Sequence, residues 1–327
     1  MTLAMRPARR VLLLSIVLVA GLVVVLATHR QQARALWHSL TSVPPVALAA
    51  VLLLVLCQLG FQALRLWTIL PRGLAVPLGR TAHAFVVGEW LNIFTPARGG
   101  DALKVMLLSR KAGGTAGSPP SLPQATGVLL ADKIVDAGSL VLLCAAAGLF
   151  RLVRVGAPTR LLDPPVLIVA ALVVTLLVLV LALRRLSPRL LGRLARWRRE
   201  LGRGLTALRD PFKLLVGVSL SLGAWLAELA ALRVLCAALA FAPSPARLVL
   251  ALGALNLGIS VPLGVANMGV YEAVLSLGLT QSGIPLATAA AIATLHHALQ
   301  LLGTNVGAGS LALWAARSCG VSATSAG

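Results

Sequence analysis

Long uninterrupted apolar runs are the feature that most constrains how this chain folds. The clearest cover 11–28, 46–64 and 214–232, each close to the roughly 20 residues that a helix needs to cross a bilayer. Of the 327 residues 58% are hydrophobic and 12% charged, which leaves too little polar surface for a water-soluble domain. Because the runs are continuous rather than alternating, helices are favoured over a barrel. The sequence predicts an all-α polytopic membrane protein, a single integral membrane domain over 1–327.

A charged break interrupts this apolar background at 92–104. Its polar members are Asn92, Arg98, Asp101 and Lys104. Pro96 removes a backbone donor, and Gly99 and Gly100 loosen the chain behind it. We therefore expect a helix from residue 80 to stop near Thr95 and a new one to start near Gly100. Charged groups and unwound backbone within a membrane normally face protein or a water-filled cavity, so this break is the first candidate for a binding site.

A second break resembles the first in its layout. It lies at 262–268 between short apolar arms at 247–261 and 269–283, with Pro262, Gly264 and Gly269 as the interrupting residues. Asn256 precedes it and Glu272 follows it, as Asn92 and Asp101 flank the first break. Interrupted helices at matching positions indicate an inverted repeat with its binding site between the halves. We predict halves 11–150 and 151–317, with six full spans and two broken re-entrant hairpins, or eight full spans if the hairpins cross.

Further polar residues lie within other predicted helices. Asp132 and Asp136 stand one helical turn apart and share a face; with Lys133 beside them they form either a binding face or a capping and pairing set. His296 and His297 are adjacent, so they cannot chelate one metal as an i, i+4 pair would. The sequence predicts neither a catalytic motif nor a metal or cofactor site. Glu228 is interpreted as an interfacial, structural residue.

The distribution of basic residues predicts the topology. Residues 184–213 form a loop with ten Lys or Arg against Glu200 and Asp210, and such loops stay in the cytoplasm. The span at 46–64 likewise returns to a basic edge at Arg65, Arg72 and Arg80. Both termini are then cytoplasmic. The net charge of +20 favours contact with anionic lipid rather than nucleic acid, because the arginines sit between apolar runs. The four cysteines imply no disulfide framework.

Three segments together resemble the lysylphosphatidylglycerol synthase transmembrane region, a flippase-like (UPF0104) family. The first carries the spacing N-x3-P-x-R-x-G-D-x-x-K from Asn92 to Lys104. The second, ADKIVD at 131–136, is similar to the family's E-R-x-x-D motif, with Asp132 and Lys133 as departures. The third is PLGVANMGVYEA at 262–273. An arginine often stands near His296 in the family, which makes that histidine a candidate phosphate partner.

The resemblance implies a bacterial inner-membrane protein that moves an anionic phospholipid or lipid-linked intermediate between leaflets. The substrate-binding candidates are Asn92, Arg98, Asp101, Lys104, Asp132, Asp136, Asn256, Glu272 and His296. Arg98 and Lys104 either hold a lipid phosphate or neutralise Asp101 as a structural cluster. We see no soluble aminoacyl-transfer domain in this sequence and expect no lysylphosphatidylglycerol synthesis. The alternatives are an enzyme acting on polyprenyl phosphates through Asp132 and Asp136, and a scaffold that binds a partner through 184–213.

Overall fold

The computed structural model describes residues 30–72, 74, 76–95, 98–110, 119–155, 195–260 and 265–324. Within these ranges the regular structure is helical. The α-helices are α1 Arg30–Ser42, α2 Pro45–Ile69, α3 Leu78–Phe94, α4 Gly99–Ser109, α5 Leu122–Val155, α6 Ala195–Gly204, α7 Pro211–Ala238, α8 Pro245–Ile259, α9 Val270–Thr280 and α10 Leu286–Thr324. Two short 3₁₀ helices cover Leu205–Arg209 and Val265–Asn267. The predicted span at 11–28 lies outside the described residues.

Three described helices are long and apolar enough to cross a membrane: Pro45–Ile69, Pro211–Ala238 and Leu286–Leu311. Helix α5, with 34 residues, is longer than each of these three segments, but it carries Asp132, Lys133 and Asp136. These helices confirm the all-α membrane class. The total number of spans, the repeat halves and the re-entrant character of the hairpins stay predictions.

The first hairpin consists of α3 and α4, which run antiparallel. Arg80 near the start of α3 donates to the main-chain oxygen of Leu107 near the end of α4 (2.9 Å from Nη2). At the other end Gly88 and Gly100 let the two backbones touch, because a Cβ on Gly100 would collide with the Gly88 carbonyl oxygen. Gly100 therefore serves close helix packing within α4, rather than loosening the break.

The break itself lies where the sequence places it. Helix α3 is capped at Thr95, whose amide donates to Leu91 O at 3.0 Å, and α4 starts at Gly99 with Asp101 in its first turn. The predicted helix boundaries near Thr95 and Gly100 are confirmed. Arg98 reverses the chain direction in the left-handed conformation (φ 56°, ψ 48°), which is unusual for a side-chain-bearing residue. Pro96 lies outside the described residues.

The second hairpin, α8 and α9, repeats this design. Ala266 (φ 54°) and Asn267 (φ 55°) are left-handed at its break, and Gly269 has a φ of 85° that favours glycine. The arms pack closely, since a Cβ on Gly278 of α9 would lie 2.8 Å from the Ala251 Cβ of α8. Pro262 and Gly264, predicted as breaking residues, lie outside the described residues.

Long helices pack around both hairpins. Helices α2 and α7 form a large interface, and Val51 and Val55 of α2 share a core with Leu232 and Leu235 of α7. Within the described part of the predicted loop 184–213, α6 and a 3₁₀ helix occupy 195–209. Helix α6 packs against α5, where Gly204 lets the two backbones come into contact.

Candidate functional site

The two hairpin breaks open onto one cavity of about 560 Å³. Helices α2, α5, α7 and α10 supply the rest of its wall. The polar and charged residues of the wall are Gln58, Gln62, Arg65, Glu89, Asn92, Thr95, Arg98, Asp101, Lys133, Asp136, Glu228, Asn256, Ser260, Asn267, Tyr271, His297, Gln300 and Thr304. Apolar residues such as Phe85, Leu140 and Leu257 lie between them. The wall is amphipathic.

Arg98 and Lys133 are the accessible basic groups of this wall. Arg98 is exposed, and the described residues place no carboxylate within ion-pair distance of its guanidinium. Lys133 is 33% exposed and its Nζ lies 3.9 Å from Asp101 Oδ1, at the limit of an ion pair. Both can therefore contact an anionic group that enters the cavity.

A third basic residue, Arg65, is closed off by two carboxylates. Its Nε and Nη2 donate to the two oxygens of Asp132 at 2.7 and 3.1 Å, and its Nη1 donates to Asp136. Ser221 of α7 accepts from Arg65 Nη1 and donates to Asp136, both at 2.9 Å. Arg65 is 2% and Asp132 1% exposed. Contrary to its predicted place at a basic edge, Arg65 lies inside α2 and ties α2, α5 and α7 together.

Lys104 is likewise enclosed within the first hairpin. Its ammonium donates to Glu89 of α3 and, at 2.9 Å, to Asp101 of its own helix, and it lies 4.7 Å from the centroid of the Phe85 ring. Its side chain is fully buried, and it does not line the cavity. Of the two arrangements open from the sequence, the geometry favours neutralisation of Asp101 for Lys104, with Glu89 as a second partner.

At the second hairpin, Glu272 caps α9 and holds a histidine. Its carboxylate accepts from Gly269 N at 2.7 Å, and its other oxygen lies 2.6 Å from His297 Nδ1. The Tyr271 ring stacks on His297 with centroids 4.1 Å apart, and its hydroxyl lies 2.8 Å from His296 Nδ1. His297 faces the cavity, while His296 is fully buried behind it.

Glu228 of α7 lies in the cavity wall and is 6% exposed. Its Oε2 accepts from Gln58 Nε2 at 3.0 Å, and Gln58 Oε1 accepts from Gln300 Nε2 at 3.0 Å. Three helices, α2, α7 and α10, are joined by this chain of bonds. Glu228 was interpreted as interfacial and structural; its bonds between helices agree with the structural role, and its place at the membrane interface stays a prediction.

The structure brings five of the predicted binding residues to the cavity: Asn92, Arg98, Asp101, Asp136 and Asn256. It places the other four behind the wall: Lys104, Asp132, Glu272 and His296. For these four the contacts favour a structural role, and substrate binding stays a prediction. Sequence reasoning missed Glu89, Gln58 and His297 as wall residues. Glu89 had a usable signal, since it lies one helical turn before Asn92 on the same face.

Fold and site together define a helical membrane protein with an internal polar cavity between two broken hairpins. The family model of the lysylphosphatidylglycerol synthase TM region matches residues 12–307. The chain belongs to this family, which confirms the resemblance carried by its three motifs. No curated protein and no solved structure matches it.

Proposed function

We propose that this protein moves an anionic phospholipid or lipid-linked intermediate between leaflets, with the headgroup passing through the cavity. The observation that carries the proposal is the polar cavity enclosed by long apolar helices and both hairpin breaks. Polar groups among apolar helices are costly unless they contact protein, water or a substrate. Broken helices that meet at such a cavity are characteristic of transporter sites. The family, a lipid-handling membrane region, fits this reading.

Arg98 is our candidate for gripping the phosphate. It has no carboxylate partner among the described residues, whereas Arg65 and Lys104 have two each. A planar guanidinium can bind two phosphate oxygens at once. Lys133, 3.9 Å from Asp101, supplies a second positive charge on the cavity wall. We do not include Lys104 in the proposed phosphate site, because its ammonium is enclosed.

The apolar part of the wall suits the lipid portion of the substrate. Phe85, Leu140, Val141 and Leu257 interrupt the polar surface, so a headgroup and the first carbons of its chains can both be accommodated. We place the protein in the bacterial inner membrane with cytoplasmic termini, on the basis of its charge distribution.

We propose no chemical change to the lipid. In the enzyme alternative Asp132 and Asp136 act as acids, but Arg65 contacts both carboxylates. To act as an acid, a carboxylate must first take up a proton. A carboxylate held by a buried guanidinium resists this, because its protonation would leave the arginine unpaired. The scaffold alternative rests on the basic segment 184–213, of which the structure describes 195–213, including α6.

Reconstitution separates the three functions. Purified protein is placed in vesicles with fluorescent anionic or neutral phospholipids, and transfer between leaflets is followed with an impermeant quencher. Faster transfer of the anionic lipid, without a chemically changed product, supports the proposal. A modified lipid would point to the enzyme. If protein-containing and empty vesicles behave alike and no product forms, the transport proposal is wrong.

A further inference from the structure

Glu228 differs from the other carboxylates of the cavity wall in lacking a cation. Glu89 and Asp101 pair with Lys104, and Asp136 pairs with Arg65. Among the residues that the structure describes, no Lys, Arg or His nitrogen lies within 4 Å of the Glu228 carboxylate. Its carboxylate accepts a hydrogen bond from the neutral amide of Gln58. A buried ionised carboxylate with a neutral partner is unfavourable, and a proton removes that charge.

Within the described ranges, the helices packed around Glu228 offer no compensating charge. On α5, Asp136 is a second carboxylate that repels an ionised Glu228. On α9, Tyr271 is a neutral hydroxyl, and Glu272 beside it is engaged by His297. On α10, His296 approaches the main chain of Glu228. On α2, Arg65 is occupied by Asp132 and Asp136. Each of these neighbours therefore favours the neutral form of Glu228 or leaves the charge of the ionised form uncompensated.

The local geometry also disfavours a metal cation at this place. Gln58 presents its amide nitrogen to Glu228, and its oxygen is already bonded to Gln300. Hard cations need several oxygen ligands around them. The described residues contain no group of three His, Cys, Asp or Glu side chains that could hold a metal.

We propose that Glu228 is a proton-binding site that couples lipid translocation to a proton gradient. The proton comes from water in the cavity and returns to it, and no other bond is made or broken. Charging Glu228 perturbs the Gln300–Gln58–Glu228 chain at the junction of α2, α7 and α10. Glu228 also faces the cavity between the two hairpins, so its charge biases how the hairpins are arranged. This inference rests on the proposed function.

The coupling is tested in vesicles that carry the full chain and an imposed pH gradient. The readout is the ratio of lipid transfer rates with and without the gradient. We expect a ratio of several-fold for the wild type and a ratio near one for Glu228→Gln, whatever its absolute rate. Glu200→Gln is the matched control, because this carboxylate lies on α6 outside the cavity, bonded to Ser121, and its ratio should follow the wild type. A wild-type ratio of one, or a gradient response retained by Glu228→Gln, overturns the coupling.

Proton binding is tested separately, without any transport. A hydrophobic carbodiimide adds to a protonated carboxyl group in an apolar environment, and mass spectrometry locates the adduct. Above the titration midpoint, labelling of Glu228 should fall about ten-fold for each pH unit. No adduct at Glu228, or labelling that does not change with pH, sinks the proton site. If the wild type moves no lipid but Glu228 labels as expected, the proposed function fails while the proton site stands.

Discussion

Arg65 and Asp132, 67 positions apart in the sequence, form a two-point ion pair in which the side chains are 2% and 1% exposed. This pair joins α2 to α5 deep in the helix packing, with Asp136 and Ser221 completing the hydrogen bonds. The sequence offered Asp132 and Asp136 for substrate binding, but in the structure they hold helices together. Several tests distinguish such structural charges from those that are available to a ligand.

Removing Asp132 should lower the stability of the protein, because the contacts of this residue favour a structural role rather than a role in substrate binding. Asp132→Ala leaves a buried guanidinium with one carboxylate instead of two, and breaking a buried ion pair costs about 3–5 kcal/mol. We expect a clear fall in Tm in detergent, measured by fluorescence-detected gel filtration after heating. Arg199→Gln on the exposed face of α6 is the control and should match the wild type. An unchanged Tm for Asp132→Ala would contradict the structural role.

Lys104→Met should also destabilise, since it leaves Glu89 and Asp101 without their common partner. Restoring neutrality should recover much of the loss, because an uncharged set of similar shape is often no less stable than a buried ion pair. We therefore expect Lys104→Met with Glu89→Gln and Asp101→Asn to have a higher Tm than Lys104→Met alone. If the single variant is stable but its lipid transfer saturates at higher lipid content, Lys104 binds substrate after all.

Gly100→Ala should force α3 and α4, the two arms of the first hairpin, apart. The added methyl would meet the Gly88 carbonyl oxygen and lie 2.6 Å from Asn92 Oδ1, and overpacking of this kind costs about 1–3 kcal/mol. Gly60→Ala on α2 is the matched control, because a Cβ there has nothing within 4 Å; alanine should stabilise that helix by about 0.5–1 kcal/mol. Thermal unfolding in detergent compares the two. Equal Tm values would show that the close contact of α3 and α4 is unimportant.

Arg98→Lys should slow anionic lipid transfer roughly ten-fold or more while the fold stays intact, since it keeps the charge and loses the guanidinium fork. Arg98→Ala should be slower still. Leaflet transfer in vesicles gives the rates, and Arg199→Ala outside the cavity is the control.

The double variant Arg98→Ala with Asp101→Ala separates the two roles of Arg98. If Arg98 only neutralised Asp101, removing both charges would restore transfer. Because Asp101 is paired with Lys104 instead, we expect no recovery. Normal transfer by Arg98→Lys, or recovery in the double variant, argues against phosphate binding.

Single cysteines test the topology in a background where Cys57, Cys144, Cys236 and Cys319 are replaced. Arg34 on α1 and Arg199 on α6 are both exposed. The charge distribution predicts that Arg34→Cys reacts with an impermeant thiol reagent in intact cells, and that Arg199→Cys reacts only after permeabilisation. Labelling of Arg199→Cys in intact cells would reverse the orientation.

The positions of the hairpin breaks followed from local chemistry, and so the sequence indicated them. The motif around Pro96 and Arg98 stops one helix at Thr95 and starts the next at Gly99. Gly100 was misread, because it makes a close contact with Gly88 of the partner arm. A contact between two arms depends on how they cross, and residue types at fixed spacing do not specify that crossing.

The sequence by itself determined the class of protein, the places where its helices break and the family, since apolar run length, Pro and Gly positions and motif spacing are local properties of the chain. The tertiary structure decided which charges are available. Arg65 and Arg98 are the same residue type near apolar segments, yet packing delivers two carboxylates to Arg65 and none of the described ones to Arg98. Glu228 and Asp136 are both carboxylates of the cavity wall, but Asp136 is paired with Arg65 and Glu228 with none of the described cations. Charge pairing inside a helix bundle depends on the rotation and register of helices far apart in sequence, so only the folded arrangement reveals which groups can meet a substrate.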